Sequence, residues 1–137
     1  MIYDCFTRFN EVELLKFRFD YLGDNVDYFV ISEGDGTYSN QPKSITFSTS
    51  LVPKRLREKI IYRYVALEDE GPWQRESFQR RVLAEGVTNA QPDDLILITD
   101  IDEIPNRKVL NEITNRPRRS IKLVLFKRKR YLFNKLI

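Results

Sequence analysis

Two aspartates two residues apart, Asp100 and Asp102, close the run LILITDIDE, with Glu103 directly behind them. Carboxylate oxygens are the hard ligands that Mg²⁺ and Mn²⁺ take, and such ions commonly keep positions open for phosphate oxygens. If the backbone stays extended past the apolar run, residues two apart point to one side. Their Cα atoms are then about 6.6 Å apart, and both carboxylates can converge on one ion. The chemistry this suits is departure of a diphosphate, whose growing negative charge a cation neutralises. The same acids also read as a negative cap on a helix beginning near Pro105. Asp-x-Asp alone does not choose between the two.

A second set of polar residues lies in PWQRESFQR. On a helix, Arg75, Gln79 and Val82 share one face near Trp73, while Glu76 and Arg80 are four apart in the favourable acid-before-base order. The plain alternative is a solvated face with one ion pair. Near the amino terminus, Asp4 and Thr7 follow a short apolar run, and Glu33 follows another. All three read as strand-end polar residues, and all fall where a doubly wound sheet opens to a ligand, Asp4 and Thr7 in reach of a nucleotide base. The chain has no histidine, which excludes histidine triads, most zinc sites and the usual general base near neutral pH. Any catalysis must lean on carboxylates. The single cysteine, Cys5, sits between aromatic neighbours and reads as a buried thiol.

The elements that would position these groups alternate along the chain. Residues 2–6, 28–31 and 59–65 are β-branched and aromatic runs that read as strands, and 95–99 reads as another, its apolar run 95–98 unbroken and suited to burial on both faces. Asn10 with Glu13 has the spacing of a capping box, which predicts a helix from near Glu11 to Gly23, the glycine ending it through a left-handed conformation. Residues 73–85 predict a second helix stopping at Gly86. A third is predicted over 105–115 with Pro105 in its first turn, and a last strand over 121–126. Residues 34–44 (GDGTYSNQPKS) have the composition of a substrate-facing surface loop. Strand–helix alternation of this kind predicts one α/β domain with a mostly parallel sheet and helices on both faces, which sets the acids of 100–103 at a carboxyl edge.

Composition agrees with one soluble domain: 137 residues, 42% hydrophobic and 31% charged. Acidic residues break the first fifteen positions, and no run approaches the ~18 apolar residues of a membrane span, so a cytoplasmic location is expected. The net charge of +3 is uneven, because nine of the 23 bases and none of the 20 acids lie after Glu112. That basic segment admits a rival reading, a non-catalytic binding module whose tail contacts nucleic acid or another anionic partner. The charged edge strand of an ordinary domain explains it as well.

Four blocks, IYDCFTRFNEVELLKFR, VDYFVISEGDGTYSNQPK, PWQRESFQR and ILITDIDEIP, in this order and spacing, resemble the bisecting β-1,4-mannosyl-glycoprotein β-1,4-N-acetylglucosaminyltransferase family, glycosyltransferase family seventeen. The resemblance runs from residue 1 to about Val109. It implies a GT-A-like, Rossmann-like three-layer fold and a metal-dependent hexosyltransferase using Mn²⁺ or Mg²⁺. The donor would be a nucleotide sugar, UDP-N-acetylglucosamine, transferred with inversion to a glycan or glycoconjugate acceptor. By the same resemblance Asp100, Asp102 and Glu103 would be the metal residues, with Asp100 also at the diphosphate. Arg75, Glu76 and Gln79 would contact the donor beside Asp4 and Thr7. Family members continue past the Asp-x-Asp strand into an acceptor-binding half, which implies that 1–137 is a single donor-binding domain ending in a divergent basic segment, 113–137. The chain would then be a donor-binding remnant that binds without transferring, or would take the acceptor half and its catalytic base, unassigned here, from a second copy or a complementing chain.

Overall fold

The computed structural model describes residues 1–36, 42–66 and 71–115, with the backbone of 131–132 and 135–136. The strand expected over 121–126 and the basic run around it lie outside the described residues, as do positions 37–41 of the loop. The elements are β1 (Ile2–Arg8), α1 (Val12–Leu22), β2 (Tyr28–Gly34), β3 (Ile60–Val65), α2 (Pro72–Glu85), β4 (Leu95–Asp100), α3 (Arg107–Thr114), and the short pair β5 (Tyr131–Leu132) and β6 (Lys135–Leu136). Two 3₁₀ turns, Thr49–Leu51 and Lys54–Lys59, connect β2 to β3.

The strands β1 to β4 form one parallel sheet in the order β3-β2-β1-β4. Each of the four falls on a run expected to be a strand. Two-residue alternation sends Ile2 and Phe6 of β1 to one face, where they join Leu15, Phe19 and Leu22 of α1, Leu56 of the second 3₁₀ turn and Leu110 of α3. Tyr3 and Cys5 go to the other face and pack with Val30 and with Leu83 of α2. Helices therefore lie on both faces, as expected, but β4 ends the sheet order and leaves Ile96 and Ile98 exposed, which corrects the burial on both faces expected of that strand. The result is a three-layer, Rossmann-like α/β fold. Each fully buried leucine or phenylalanine contributes roughly 1.5–3 kcal/mol through its removal from water, and Phe19 meets Phe29 edge-on at 5.0 Å between ring centres. Burial pushes the Cys5 thiol up to about 12, with Asp4 adding to the rise and Arg18 opposing it, so the cysteine is a core residue.

Three local expectations are corrected. The Asn10–Glu13 capping box does not form: Glu11 is the N-cap, and its own carboxylate accepts from the amides of Phe9 and Asn10. Gly23 ends α1 with a right-handed φ of −56°. What the site requires is space, since a Cβ there would lie 2.5 Å from the Phe19 carbonyl oxygen and 2.9 Å from Leu56 Cδ1. Gly86 is similar, because a Cβ would lie 2.3 Å from Val30 Cγ1 on the sheet beneath. Finally, α3 starts at Arg107, after Pro105, and its cap is Asn106, whose side chain accepts from the Lys108 amide. Asp102 and Glu103 are therefore not the caps of this helix.

Candidate donor and metal site

In this strand order the chain winds from β1 through β2 to β3 on one side and returns with β4 on the other side of β1. The strand order thus reverses between β1 and β4, and ligands of open α/β sheets bind outside the carboxyl ends at such a switch point. A cleft of about 770 Å³ opens there. Thr7, Arg8 and Phe9 line it from the end of β1, Glu76 and Gln79 from α2, and Asp100 and Asp102 from the end of β4. Thr7 and Asp100 are paired across the two strands. Of the residues singled out in the sequence, the fold thus brings Thr7, Glu76, Gln79, Asp100 and Asp102 to one wall-to-wall site.

The acidic corner is a turn. Strand β4 stops at Asp100, and the Glu103 amide donates back to the Asp100 carbonyl at 3.0 Å. The extended continuation through Asp102 expected from the sequence is thereby corrected: Ile101 turns into the core while Asp102 is exposed. Glu103 does not line the cleft; its Oε2 accepts from the Asp100 amide at 3.3 Å and braces the turn. Burial raises the Asp100 carboxyl above its ordinary value of 3.8, Arg80 pulls it down, and Glu103, Asp102 and Glu76 add to the rise. Arg80 donates to Asp100 Oδ1 at 3.0 Å and also pairs with Glu76, the i,i+4 contact read from the sequence. Both partners of the Arg80–Asp100 pair are half-exposed, so water screens it and the pair is weak.

Arg18 fixes the turn from below. Fully buried on α1, its guanidinium donates to both oxygens of Asp4 at 2.8 and 2.6 Å, to Thr99 Oγ1 at 2.7 Å, and to the carbonyls of Asp100, Ile101 and Glu103 at 3.0, 3.1 and 3.3 Å. It also lies 4.3 Å from the Phe6 ring centre. The backbone carbonyls of the acidic turn are thus gripped by one cation, which holds the turn in the shape that leaves Asp100 and Asp102 on the cleft wall. Asp4 is committed to this grip and does not line the cleft. Arg75 is buried on α2 outside the cleft lining.

Glu33 is a second buried hub. Its two oxygens accept from Arg8 Nη1 at 2.8 Å, Lys43 Nζ at 2.7 Å, the Thr46 amide and hydroxyl at 2.9 and 3.0 Å, and the Phe47 amide at 3.1 Å. Burial pushes its carboxyl up, but the hydrogen bonds from Lys43 and Thr46 and the charges of Arg8 and Lys43 outweigh that, and the net shift is below its ordinary 4.5. The hub ties the loop after β2 to the sheet end. Reasoning from sequence missed Arg8, Arg18 and Lys43, and found Arg80 only as the partner of Glu76 and not of Asp100. One signal was available for Arg18, which stands inside the apolar stripe of Leu15, Phe19 and Leu22, where a charge requires a buried partner.

Among the described residues, no three histidine, cysteine or acidic side chains converge as a metal site. Asp100 and Asp102 facing one cleft nevertheless match the donor set of a cation held by one or two carboxylates and completed by ligand phosphates.

Residues 1–134 match the sequence model of Glycosyltransferase family 17. The chain is similar to the human β-1,4-mannosyl-glycoprotein 4-β-N-acetylglucosaminyltransferase, 34% identical over 109 residues, which is 72% of this chain and 20% of that protein. Its rat counterpart matches at 34% and its mouse counterpart at 33% over the same shares. The chain therefore spans about a fifth of the length of these relatives. No solved structure matches it, and no helix among the described residues is long and apolar enough to cross a membrane.

Proposed function

We propose, from the premise that the chain belongs to glycosyltransferase family 17, that its cleft binds a nucleotide-diphosphate sugar for transfer to a glycan acceptor, with UDP-N-acetylglucosamine as donor. The observation that carries this reading is the convergence of Asp100 and Asp102 with Thr7 and Gln79 on one cleft at the sheet's switch point. Open α/β sheets bind nucleotides in that position. Asp100 and Asp102 would hold Mn²⁺ or Mg²⁺, and a cation there would neutralise the diphosphate as it leaves.

The chain's own groups supply the rest. Arg18 keeps the turn rigid, so that the two carboxylates meet an incoming ligand without reorganising. Gln79 offers an amide donor and acceptor to a base or a sugar hydroxyl, and Thr7 a hydroxyl at the floor of the crevice. Arg80 neutralises Asp100 while the cleft is empty and is exposed enough to swing aside.

Calorimetric titration of the chain with UDP and UDP-N-acetylglucosamine, with Mn²⁺ and with a chelator, tests the reading. Binding should require the metal, and Asp102→Ala should abolish it with the melting temperature unchanged, because Asp102 is exposed. Equal affinity in chelator would refute the assignment of the acids.

A further inference from the structure

We infer that Arg8 is the anion-binding residue of the cleft and takes the diphosphate on the side opposite Asp100 and Asp102. The inference rests on the donor-binding reading above and adds to it a residue that neither the acidic motif nor the helix α2 contains.

The Arg8 side chain is fully buried, yet only one of its three nitrogens is used. Nη1 donates to Glu33, whereas Nε and Nη2 have no acceptor among the described residues and are shielded from water. Buried guanidinium donors are seldom left in this condition, since the loss of hydration goes uncompensated. Glu33 cannot turn to relieve them, because Lys43, Thr46 and Phe47 already occupy its oxygens. Among the described residues the charges do not balance either: two cations, Arg8 and Lys43, share one carboxylate.

What would satisfy this corner is an acceptor with negative charge and two oxygens to match the planar fork, for which a phosphate is suited. Arg8 lines the cleft. A rotation of the guanidinium that keeps its Glu33 contact would be needed to present Nε and Nη2 to a ligand there. A bare anion would be repelled by the acids across the cleft, but a diphosphate shared between Arg8 and a cation on those acids meets opposite charge on both sides.

Arg8→Lys tests the assignment, since it keeps the ion pair with Glu33 and removes the fork. Titrations of wild type and variant with UDP, pyrophosphate and uridine, each with Mn²⁺, read the result. UDP should bind the variant roughly tenfold or more weakly, as expected for lost charge-assisted hydrogen bonds, while uridine changes by less than about twofold. Unchanged UDP affinity, or an equal loss for uridine, overturns the role. Wild type that binds pyrophosphate through Arg8 but ignores the nucleotide would retain the anion site and refute the donor reading; binding neither refutes both. If the variant melts early, the Nε proton resonance of Arg8 in the wild type decides the matter: it should shift with UDP and stay put with uridine, and the reverse overturns the inference.

Discussion

The ion pairs Asp4–Arg18 and Glu33–Arg8 are both fully buried, both start from β1, and are built with opposite stoichiometry. In the first, one cation serves many acceptors: every nitrogen of Arg18 donates, and the carboxylate has a single partner. In the second, one anion serves many donors: Glu33 is saturated, and two of the three Arg8 nitrogens are idle. A satisfied guanidinium makes a strut; an unsatisfied one keeps capacity for a ligand. Buried charge alone therefore does not mark function, and the donor count around it does.

The contrast is sharpest in stability. Arg18→Met should cost about 3–5 kcal/mol, because it strands Asp4 as an unpaired buried carboxylate and frees the turn carbonyls. Urea unfolding measures this, and adding Asp4→Leu should recover part of the loss; a cost under about 1 kcal/mol would show that Arg18 is no strut. Next in size is the acid response of the Glu33 hub. A carboxyl whose folded value is depressed contributes stability that is present above the unfolded value and disappears as pH falls through the folded one. Melting temperature should therefore drop as pH falls below the ordinary 4.5, and Glu33→Gln should start lower and show a shallower drop over that window. An identical slope in the variant would remove Glu33 from the balance. The smallest effect belongs to Arg8→Lys, which should change unfolding free energy by about 1 kcal/mol or less because the ion pair survives. A strut-sized loss there would erase the distinction between the two arginines.

The sheet was legible because its strands are apolar and β-branched enough to stand out without context. Its acidic carboxyl edge followed from where the run at 95–99 stops. Thr7, Asp100 and Asp102 could be proposed because strand ends are local properties, whereas Glu76 and Gln79 were singled out through the family resemblance, which also named Arg75, outside the cleft lining. Asp4 shows what was available and unused: it falls inside the strand run 2–6, about 10 Å before Thr7 at the usual rise per residue, and so stands short of the carboxyl edge that Thr7 reaches. The roles of Arg8 and Arg18 were not legible, since their partners lie 25 and up to 85 residues away. The turn at Asp100–Glu103 was hidden for the same reason, being held by a side chain from another element.

The position of β1 inside the sheet also sets the order in which the molecule can be assembled. This strand is made before the other three of its sheet, but one of its two neighbours is β4, and Met1 closes onto Asp94 across 93 residues of sequence. At roughly 5–20 residues per second, a ribosome needs several seconds to deliver that partner, and pairings this distant pay a large loop-closure entropy before they return any contact. Asp4 and Arg18 emerge early and only 14 residues apart, whereas Thr99 and the carbonyls of the acidic turn arrive with β4. During synthesis the strut waits half-built around an open strand edge, and the step that closes the sheet is the same step that sets the acids in place.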